Sequence, residues 1–335
     1  MTACKFVKQS FLCYSAENSE VEKFFMAILK LKPACKDYIW GGRRLLEEYG
    51  VECDKKILAE AWVLSCHADG ASTIEGGETL ADYIKRNDAE ILGTNCRNFH
   101  DFPLLIKFID ARENLSVQVH PSDEYALIHE GQLGKSEMWY VLDAEENSLL
   151  YCGFNKKISR DEFIARIKNN SLVEVLNAIP ARRGDVIFIP AGTIHAIGKG
   201  VLLAEIQQNS NVSYRIYDYG RNRPLHLAQA LDVTNFNPVD VRGENYPHLA
   251  ACDYFVVDKL TLDGKILSKA QGTVGEKTFL SVLILSGEGK IFCGDEEFFY
   301  RKGDSFFLTA GAGAWKICGS CDVLLTTVPH NEKIF

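Results

Sequence analysis

The chain has 335 residues, which is more than one ordinary domain and favours about two. Apolar residues make up 47% and charged residues 24%, a composition that is typical of a globular protein with a large core and that excludes disorder. The 45 acidic and 37 basic residues give a net charge of −8, which argues against general nucleic-acid binding. Apolar runs such as Phe279–Leu285 are far shorter than the roughly 18 residues that a membrane span needs.

Most of the predicted elements are short β-strands bounded by Gly, Pro, Asn and Asp, the pattern of a sandwich or barrel. Residues 1–26 are interpreted as an N-terminal extension, with a short amphipathic helix over Glu20–Leu29. The clearest strands, in chain order, are Leu104–Asp110, Leu115–His120, Met138–Leu142, Val186–Pro190, Val201–Gln207, Ser281–Leu285 and Ser305–Leu308. We therefore predict a mainly β protein.

Three short helices are predicted between these strands. The spacing Ser159-x-x-Glu162 is that of a capping box, and the same spacing begins again at Ser171. A third short helix is predicted over Leu225–Asp232. The polar, proline-bearing stretch Thr234–His248 after it is interpreted as a linker.

The chain contains 11 cysteines, most of which stand beside apolar residues. We interpret them as small reduced core residues and not as a disulfide framework, which favours the cytoplasm. The N-terminus also lacks the basic-then-apolar plan of a signal peptide. Cys318 and Cys321 form the one Cys-x-x-Cys spacing of the sequence and stand between two β-like runs, where a hairpin turn is expected.

One internal repeat is visible in the sequence. Residues Gly184–His195 and Gly303–Ala314 share a Gly-Asp pair, a short strand and a glycine-bearing turn at the same spacing. The first copy ends on a histidine, whereas the second ends on an alanine. Two related β-domains are therefore predicted, the second without the chemistry of the first.

Four polar residues, three of them upstream of the first repeat and one at its end, form a candidate metal site. Gln118 and His120 are two residues apart on a predicted strand, so their side chains project from the same face. Glu137 starts another strand, and His195 follows the turn of the first repeat. Two imidazoles, a carboxylate and an amide oxygen suit a divalent metal, with Zn²⁺ as the first choice and Mn²⁺ or Co²⁺ as substitutes.

This pattern resembles the two-part signature of the cupin barrel, although Gln118 stands where that signature has a histidine. Longer segments resemble the type I mannose-6-phosphate isomerases, most closely their short bacterial class. In chain order these are YIWGG from Tyr38, EAW from Glu60, FPLLIKFIDARENLSVQVHPSD from Phe102, GKSEMWYVL from Gly134, RRGDVIFIPAGTIHAIGKG from Arg182 and SYRIYDYGR from Ser213. The resemblance implies two cupin (jelly-roll) barrels with a few small helices packed on the first.

The resemblance also implies an activity: a zinc-dependent aldose–ketose isomerase that interconverts mannose 6-phosphate and fructose 6-phosphate through a cis-enediolate. The zinc ligands of the family, one zinc per active site, fall on Gln118, His120, Glu137 and His195, and its catalytic arginine falls on Arg215. A metal and a permanently charged guanidinium suit this reaction because negative charge develops on two neighbouring oxygens.

Cations and donors near these residues extend the candidate site. Lys135 is a candidate for proton transfer, and Lys107 and Ser116 are candidates for substrate binding. A metal-bound hydroxide, or a His or Asp placed by the fold, is an alternative proton acceptor. Arg215 can act on the enediolate or on the phosphate.

The resulting domain prediction has an extension over residues 1–26, a catalytic cupin domain over 27–244 with a helical insertion, and a metal-free cupin-like domain over 245–335. The expected partner is a small sugar phosphate, with no nucleic acid and no membrane, and the protein is expected to be a monomer or homodimer. The alternatives are another cupin metalloenzyme, such as an iron oxygenase or a different sugar-phosphate isomerase, and a non-catalytic sugar-binding cupin. Gln118 as a ligand and the presence of Arg215 argue against the oxygenase.

Overall fold

The computed structural model describes residues 27–244 and 246–331. Its strands, in chain order, are β1 (Ile28–Leu31), β2 (Ala34–Lys36), β3 (Glu60–Ser65), β4 (Leu104–Ala111), β5 (Val117–Val119), β6 (Glu137–Ala144), β7 (Leu149–Phe154), β8 (Leu176–Pro180), β9 (Val186–Ile189), β10 (His195–Ile197), β11 (Val201–Gln208), β12 (Tyr214–Tyr217), β13 (His248–Ala251), β14 (Val256–Asp263), β15 (Lys269–Val274), β16 (Leu280–Cys293), β17 (Glu296–Arg301), β18 (Ser305–Leu308) and β19 (Gly313–Thr327). The α-helices are α1 (Arg44–Glu47), α2 (Leu80–Arg86), α3 (Asp123–His129), α4 (Arg160–Lys168) and α5 (Leu227–Val233), and 3₁₀ turns lie at Glu90–Leu92, Thr94–Cys96 and Leu172–Val175. Across the described ranges, none of the helices has the length and apolar character to cross a membrane.

Two sheets enclose the first barrel. One has six strands in the order β2-β3-β4-β11-β6-β9, and the other has five in the order β12-β5-β10-β7-β8. Ile109 and Trp139 of the six-stranded sheet pack with Leu150 and Ile197 of the five-stranded sheet in one buried cluster. Alternate residues of both sheets therefore fill the barrel interior.

The central strands of the six-stranded sheet are buried on both faces. On β6, Trp139 and Val141 face the barrel interior, whereas Met138 and Tyr140 pack in a second cluster that also contains Phe307 of β18. All eight residues of β4 are buried. A strand that is covered on both faces loses the alternation of polar and apolar residues, which explains the continuous apolar runs in this part of the sequence.

A single eight-stranded sheet builds the second barrel. Its main path is β1-β18-β16-β19-β14-β13, with β15 added on β19 and β17 on β16. Strand β1 comes from the opposite end of the described chain, yet it pairs with β18, with Ile28 opposite Leu308 and Leu31 opposite Ser305. The first strand therefore belongs to the sheet of the second barrel, whereas the predicted boundary between residues 244 and 245 assigns it to the first domain.

The sequence repeat corresponds to a repeated local structure. The Gly184 amide donates to the Val141 carbonyl oxygen over 2.9 Å, and in the second barrel the Gly303 amide donates to the Ile284 carbonyl oxygen over 2.9 Å. Gly184 has φ 92° and Gly303 has φ 93°, a backbone region that glycine adopts without strain. Both glycines are thus required by the same turn, which precedes β9 in one barrel and β18 in the other.

The small helices pack on the first barrel. Helix α4 begins after Ser159, whose hydroxyl accepts the predicted capping bond from the Glu162 amide at 3.1 Å. Helix α5 begins at Leu227, two residues later than predicted. Ser171 precedes only a 3₁₀ turn, and its hydroxyl donates to Asn169 Oδ1 instead of capping a helix. The predicted fold class, mainly β with two cupin barrels and a few small helices on the first, is confirmed.

Some local predictions were wrong about the type or the extent of an element. Cys318 and Cys321 lie inside the 15-residue strand β19 and not in a hairpin turn, because that strand pairs with partners along its whole length. The predicted strand Ser281–Leu285 is part of the longer β16. The predicted helix over Glu20–Leu29 lies mostly outside the described residues, and its end, from Ile28, forms β1.

Candidate metal centre

The four predicted metal ligands come from both sheets of the first barrel. Gln118 is the middle residue of β5, and His120 directly follows that strand. His195 begins β10 and is paired in register with Gln118, so the two side chains share a face. Glu137 begins β6 in the opposite sheet. The fold therefore brings together residues that are up to 77 positions apart in sequence.

The donor atoms of these residues converge. One ligand atom from each of His120, Glu137 and His195 lies within 4.8 Å of the others, and all three residues are buried. Each imidazole Nε2 is 3.5 Å from a different carboxylate oxygen of Glu137. The Gln118 amide nitrogen lies 3.4 Å from His195 Nε2, and the two ends of an amide can be exchanged by a flip, which turns the oxygen toward the same point.

Backbone carbonyls fix the orientation of both imidazoles. His120 Nδ1 is 2.8 Å from the Val212 oxygen, and His195 Nδ1 is 2.8 Å from the Thr193 oxygen. Burial, followed by the charge of Lys135, lowers the pKa of both histidines, and that of His195 falls to about 4. Each ring is therefore neutral near pH 7, donates through Nδ1 and directs the lone pair of Nε2 into the site, as a metal ligand must.

Glu137 has the features of a carboxylate that serves a cation. Burial, followed by the charge of Glu205, raises the pKa of Glu137 to about 7. Among the described residues, its buried Oε1 has no hydrogen-bond partner. A buried acceptor without a donor is costly, and a divalent cation would satisfy it and favour the ionised form. The donor set therefore fits a metal such as Zn²⁺.

Lys135 lies directly against this donor set. Its Nζ donates to Glu137 Oε2 and lies 3.1 Å from His120 Nε2. A third neighbour is Glu205, whose Oε1 is 3.5 Å from the same nitrogen. The structure thus places this predicted catalytic residue within the candidate site, with its ammonium buried beside two of the ligands.

A second buried lysine belongs to an ion-pair network next to the site. Lys107 Nζ is 3.3 Å from Glu205 and 3.5 Å from Glu60. Trp139 donates its indole N–H to Glu205 over 3.0 Å, and Trp62 donates to Glu60 over 2.6 Å. Burial would raise the pKa of Glu205, but Lys135 and Lys107 outweigh it and hold that pKa at about 2. The carboxylate is therefore charged and links the two lysines.

Glu205 was missed as a site residue from the sequence, and Glu60 entered only as part of a motif. The available signal was the position of Glu205 within the apolar strand β11, where every residue is buried. A charged residue in a strand that is buried on both faces must be paired, and its partner is a candidate site residue.

Arg215 and Ser116 lie next to the ligands along β5 and β12. Arg215 is paired in register with Gln118, so the row across the sheet reads Arg215, Gln118, His195. Its Nη1 donates to the Pro224 oxygen over 2.9 Å, and its buried Nε has no hydrogen-bond partner among the described residues. Ser116 is buried and stands two residues before Gln118. One guanidinium nitrogen of Arg215 is thus left without a protein acceptor in the described part of the chain.

Two further arginines lie close enough to Arg215 for their charges to act on it. Neither was predicted to be a site residue. Arg221 and Arg223 lie 2.8 and 2.6 Å from the same carboxylate oxygen of the buried Asp218. Burial, followed by the charge of Arg223, lowers the pKa of Arg215. Two guanidinium groups thus pair with Asp218, and the third, that of Arg215, has no ion pair with it, which leaves an excess of positive charge at this edge of the site.

Comparison with known proteins identifies relatives over most of the chain. The family model "Phosphomannose isomerase type I, catalytic domain" matches residues 28–151, and "Mannose-6-phosphate isomerase, cupin domain" matches residues 245–328. The mannose-6-phosphate isomerase of Streptococcus mutans is 36% identical over 303 residues, which cover 85% of this chain and 93% of that protein. Mannose-6-phosphate isomerase ManA of Bacillus subtilis is 33% identical over 89% of this chain and 98% of its own length.

Solved structures show the same architecture. The crystal structure of the mannose 6-phosphate isomerase from Bacillus subtilis has a TM-score of 0.82 and 31% identity, covering 90% of this chain and 99% of that one. A mannose 6-phosphate isomerase bound with zinc and yttrium has the same fold, with a TM-score of 0.72 and 18% identity. The match covers 90% of this chain and 99% of that one. Fold and site together define a two-cupin protein with a candidate metal centre in its first barrel. The chain belongs to the type I phosphomannose isomerase family.

Proposed function

We propose that this protein is a zinc-dependent aldose–ketose isomerase that interconverts mannose 6-phosphate and fructose 6-phosphate. The observation that carries the proposal is the buried donor set of His120, Glu137 and His195, with Lys135 against it. The relatives that cover most of the chain bear the name mannose-6-phosphate isomerase. The family relationship and the site chemistry support the same reaction.

The residues that would hold the metal are His120, His195, Glu137 and the amide oxygen of Gln118. Two neutral imidazoles and two oxygens suit Zn²⁺, and Mn²⁺ or Co²⁺ can use the same donors. When bound, the metal would polarise the substrate carbonyl and stabilise negative charge on the two neighbouring oxygens. The zinc-bound structure with this fold is consistent with that choice.

Lys135 is our candidate for moving the proton between C1 and C2. Its Nζ is buried among the ligand side chains and lies in hydrogen-bond reach of the groups that face the site. Lys107 was predicted to bind the substrate. Because its ammonium is paired with Glu205 and Glu60, we propose that it instead supports Lys135 through Glu205, which contacts both lysines. Ser116 stays a predicted substrate-binding residue, because it lies two residues before Gln118, immediately ahead of β5.

We propose that the arginines divide the negative charges of the substrate between them. Arg215, which is paired in register with Gln118, is our candidate for a donor to the enediolate. Arg221 and Arg223 are our candidates for binding the phosphate. The three arginines carry three positive charges, and Asp218 carries one negative charge, which leaves a net charge of about +2. A phosphate monoester carries about −1.5 to −2 charges near pH 7, which matches this excess. Guanidinium groups also offer paired donors that fit phosphate oxygens.

A coupled isomerase assay with mannose 6-phosphate is the experiment that tests the function. The purified protein is expected to form fructose 6-phosphate, to lose the activity after treatment with a chelator and to regain it on addition of Zn²⁺. A non-catalytic sugar-binding cupin would bind the sugar phosphate without turnover. Product formation that is unaffected by removal of the metal would contradict the proposed mechanism.

We predict one zinc per chain, bound in the first barrel. In the second barrel, Ala314 of β19 stands at the position that His195 has in the first repeat, so that barrel lacks one donor of the set. Elemental analysis of the zinc-loaded protein should give one equivalent. Two equivalents, with one retained after His195 is replaced, would contradict this prediction.

We also propose a cytoplasmic location. All nine cysteines in the described part of the chain are free, including buried Cys96, Cys152 and Cys293. Burial raises the pKa of Cys152 well above its usual range, so its thiol is unreactive. A set of free thiols supports a reducing compartment.

A further inference from the structure

The segment that carries Lys135 is held at its backbone on both sides of the lysine. Immediately before it, the Gly134 amide donates to Asp123 Oδ1 over 2.7 Å. Immediately after it, the Ser136 amide donates to Gln208 Oε1 over 2.8 Å. These two side chains are themselves joined, since Gln208 Nε2 donates to Asp123 Oδ1 over 2.8 Å. One connected set of hydrogen bonds therefore holds the backbone on both sides of the lysine, whose own amide donates to the Pro121 carbonyl oxygen over 3.0 Å.

A residue of the second barrel completes this network. Tyr254 lies between β13 and β14, and its hydroxyl donates to Asp123 Oδ2. The Asp123 carboxylate thus accepts from the Gly134 amide, from the Gln208 amide and from Tyr254. Burial, followed by the hydrogen bond to Asp123, raises the pKa of Tyr254, so the phenol is a donor at neutral pH. The carboxylate has its donors from both barrels.

The backbone around Gly134 has no room to move toward its neighbours. A Cβ atom at Gly134 would lie 2.4 Å from the carbonyl carbon of Ser122 and 2.5 Å from the amide nitrogen of Asp123. Because these are backbone atoms, they cannot turn aside as a flexible side chain can. The strand start at Glu137 fixes the other end of the segment. We therefore expect a shift of Asp123 to displace the segment that carries Lys135.

We propose that Tyr254 of the second barrel is a positioning residue for Lys135, and that it acts through Asp123 and the Gly134 amide. This gives the metal-free barrel a part in the reaction of the first barrel. The inference rests on the proposed function insofar as it concerns turnover, whereas the hydrogen-bond network itself is independent of the substrate. A displacement of about 1 Å at a reacting group can lower a rate by about 100-fold, so loss of one supporting hydrogen bond is expected to have a clear effect.

The test is the Tyr254→Phe variant, which removes one hydroxyl and keeps the packed ring. With saturating Zn²⁺ and one bound equivalent confirmed, kcat is expected to fall by about 10-fold with KM changed less than about 2-fold, because substrate binding is intact. Tyr300→Phe is the matched control. It also removes one hydroxyl from the second barrel, where Tyr300 donates to the Cys318 oxygen over 3.0 Å, away from this network. It is expected to keep the kcat of the original protein.

Amide hydrogen exchange at Gly134 gives a readout that needs no substrate. Exchange at this amide is expected to become faster by about 10-fold in Tyr254→Phe and to stay unchanged in Tyr300→Phe, because only the first loosens the acceptor of that amide. Unchanged exchange, or equal kcat values for the two variants of an active enzyme, overturns the proposal. If the original protein has no isomerase activity but Gly134 exchange accelerates as expected, the proposed function fails and the positioning network stands.

Discussion

Replacing His195 with alanine is expected to abolish both zinc binding and isomerase activity while the protein stays folded. The variant loses one of the converging Nε2 atoms, and zinc affinity should fall by at least about 100-fold. The buried ring costs roughly 3 kcal/mol on removal, a loss that a molecule with two packed barrels can sustain. Elemental analysis and circular dichroism measure the two effects separately.

His248→Ala is a suitable control for this prediction. His248 is exposed on β13 of the second barrel and pairs with Asp258, so its removal leaves the candidate site unchanged. The control should retain one zinc per chain and full activity. A His195→Ala protein that still holds one tightly bound zinc would show that the metal lies elsewhere.

Replacing Arg215 with alanine is expected to lower kcat by about 10²–10³-fold, with little change in KM and with zinc retained. A guanidinium that acts on the developing enediolate contributes in the transition state, and loss of one such donor has this magnitude. Arg215→Lys should recover part of the activity, because an ammonium keeps the charge but not the planar pair of donors. Steady-state kinetics at saturating Zn²⁺ give both constants.

Two further variants separate the roles of the arginines. Arg221→Ala should raise KM far more than it lowers kcat, since a phosphate contact is made in the ground state and the transition state alike. Arg166→Ala, on α4 with Glu162 and Glu174 as partners, is the surface control and should behave as the original protein. Near-normal kcat with a much higher KM in Arg215→Ala would assign Arg215 to the phosphate instead.

Much of the candidate site could be predicted because its residues have local patterns. Gln118 and His120 are related by the two-residue period of a strand, and His195 is marked by the turn of the repeat. Glu205 had no such pattern, since its meaning depends on its register with Lys107 and Trp139. Pairing between strands that are distant in sequence is a tertiary property, so the ion-pair network became visible only in the fold.

The same limit explains the structural predictions that were wrong. The strand pattern around Cys318 was interpreted as two runs with a turn, because Gly319 and Ser320 interrupt the apolar residues. In the fold, β19 continues through them, since β16 on one side and β14 or β15 on the other supply its hydrogen bonds. The hydrogen bond between Tyr254 and Asp123 could not be predicted from the sequence either, because the two residues are 131 positions apart.

The pairing of β1 with β18 has a consequence for how the two barrels can be separated. The edge strand of the second barrel, β1, comes from a segment that precedes the first barrel in the chain. A cut near residue 245 therefore does not yield two complete barrels. Residues 246–331 alone would leave the hydrogen-bonding edge of β18 open, with Phe306 and Leu308 beside it. An open edge of this kind recruits other strands, so the isolated half should self-associate, and a peptide with the sequence of β1 should suppress that association.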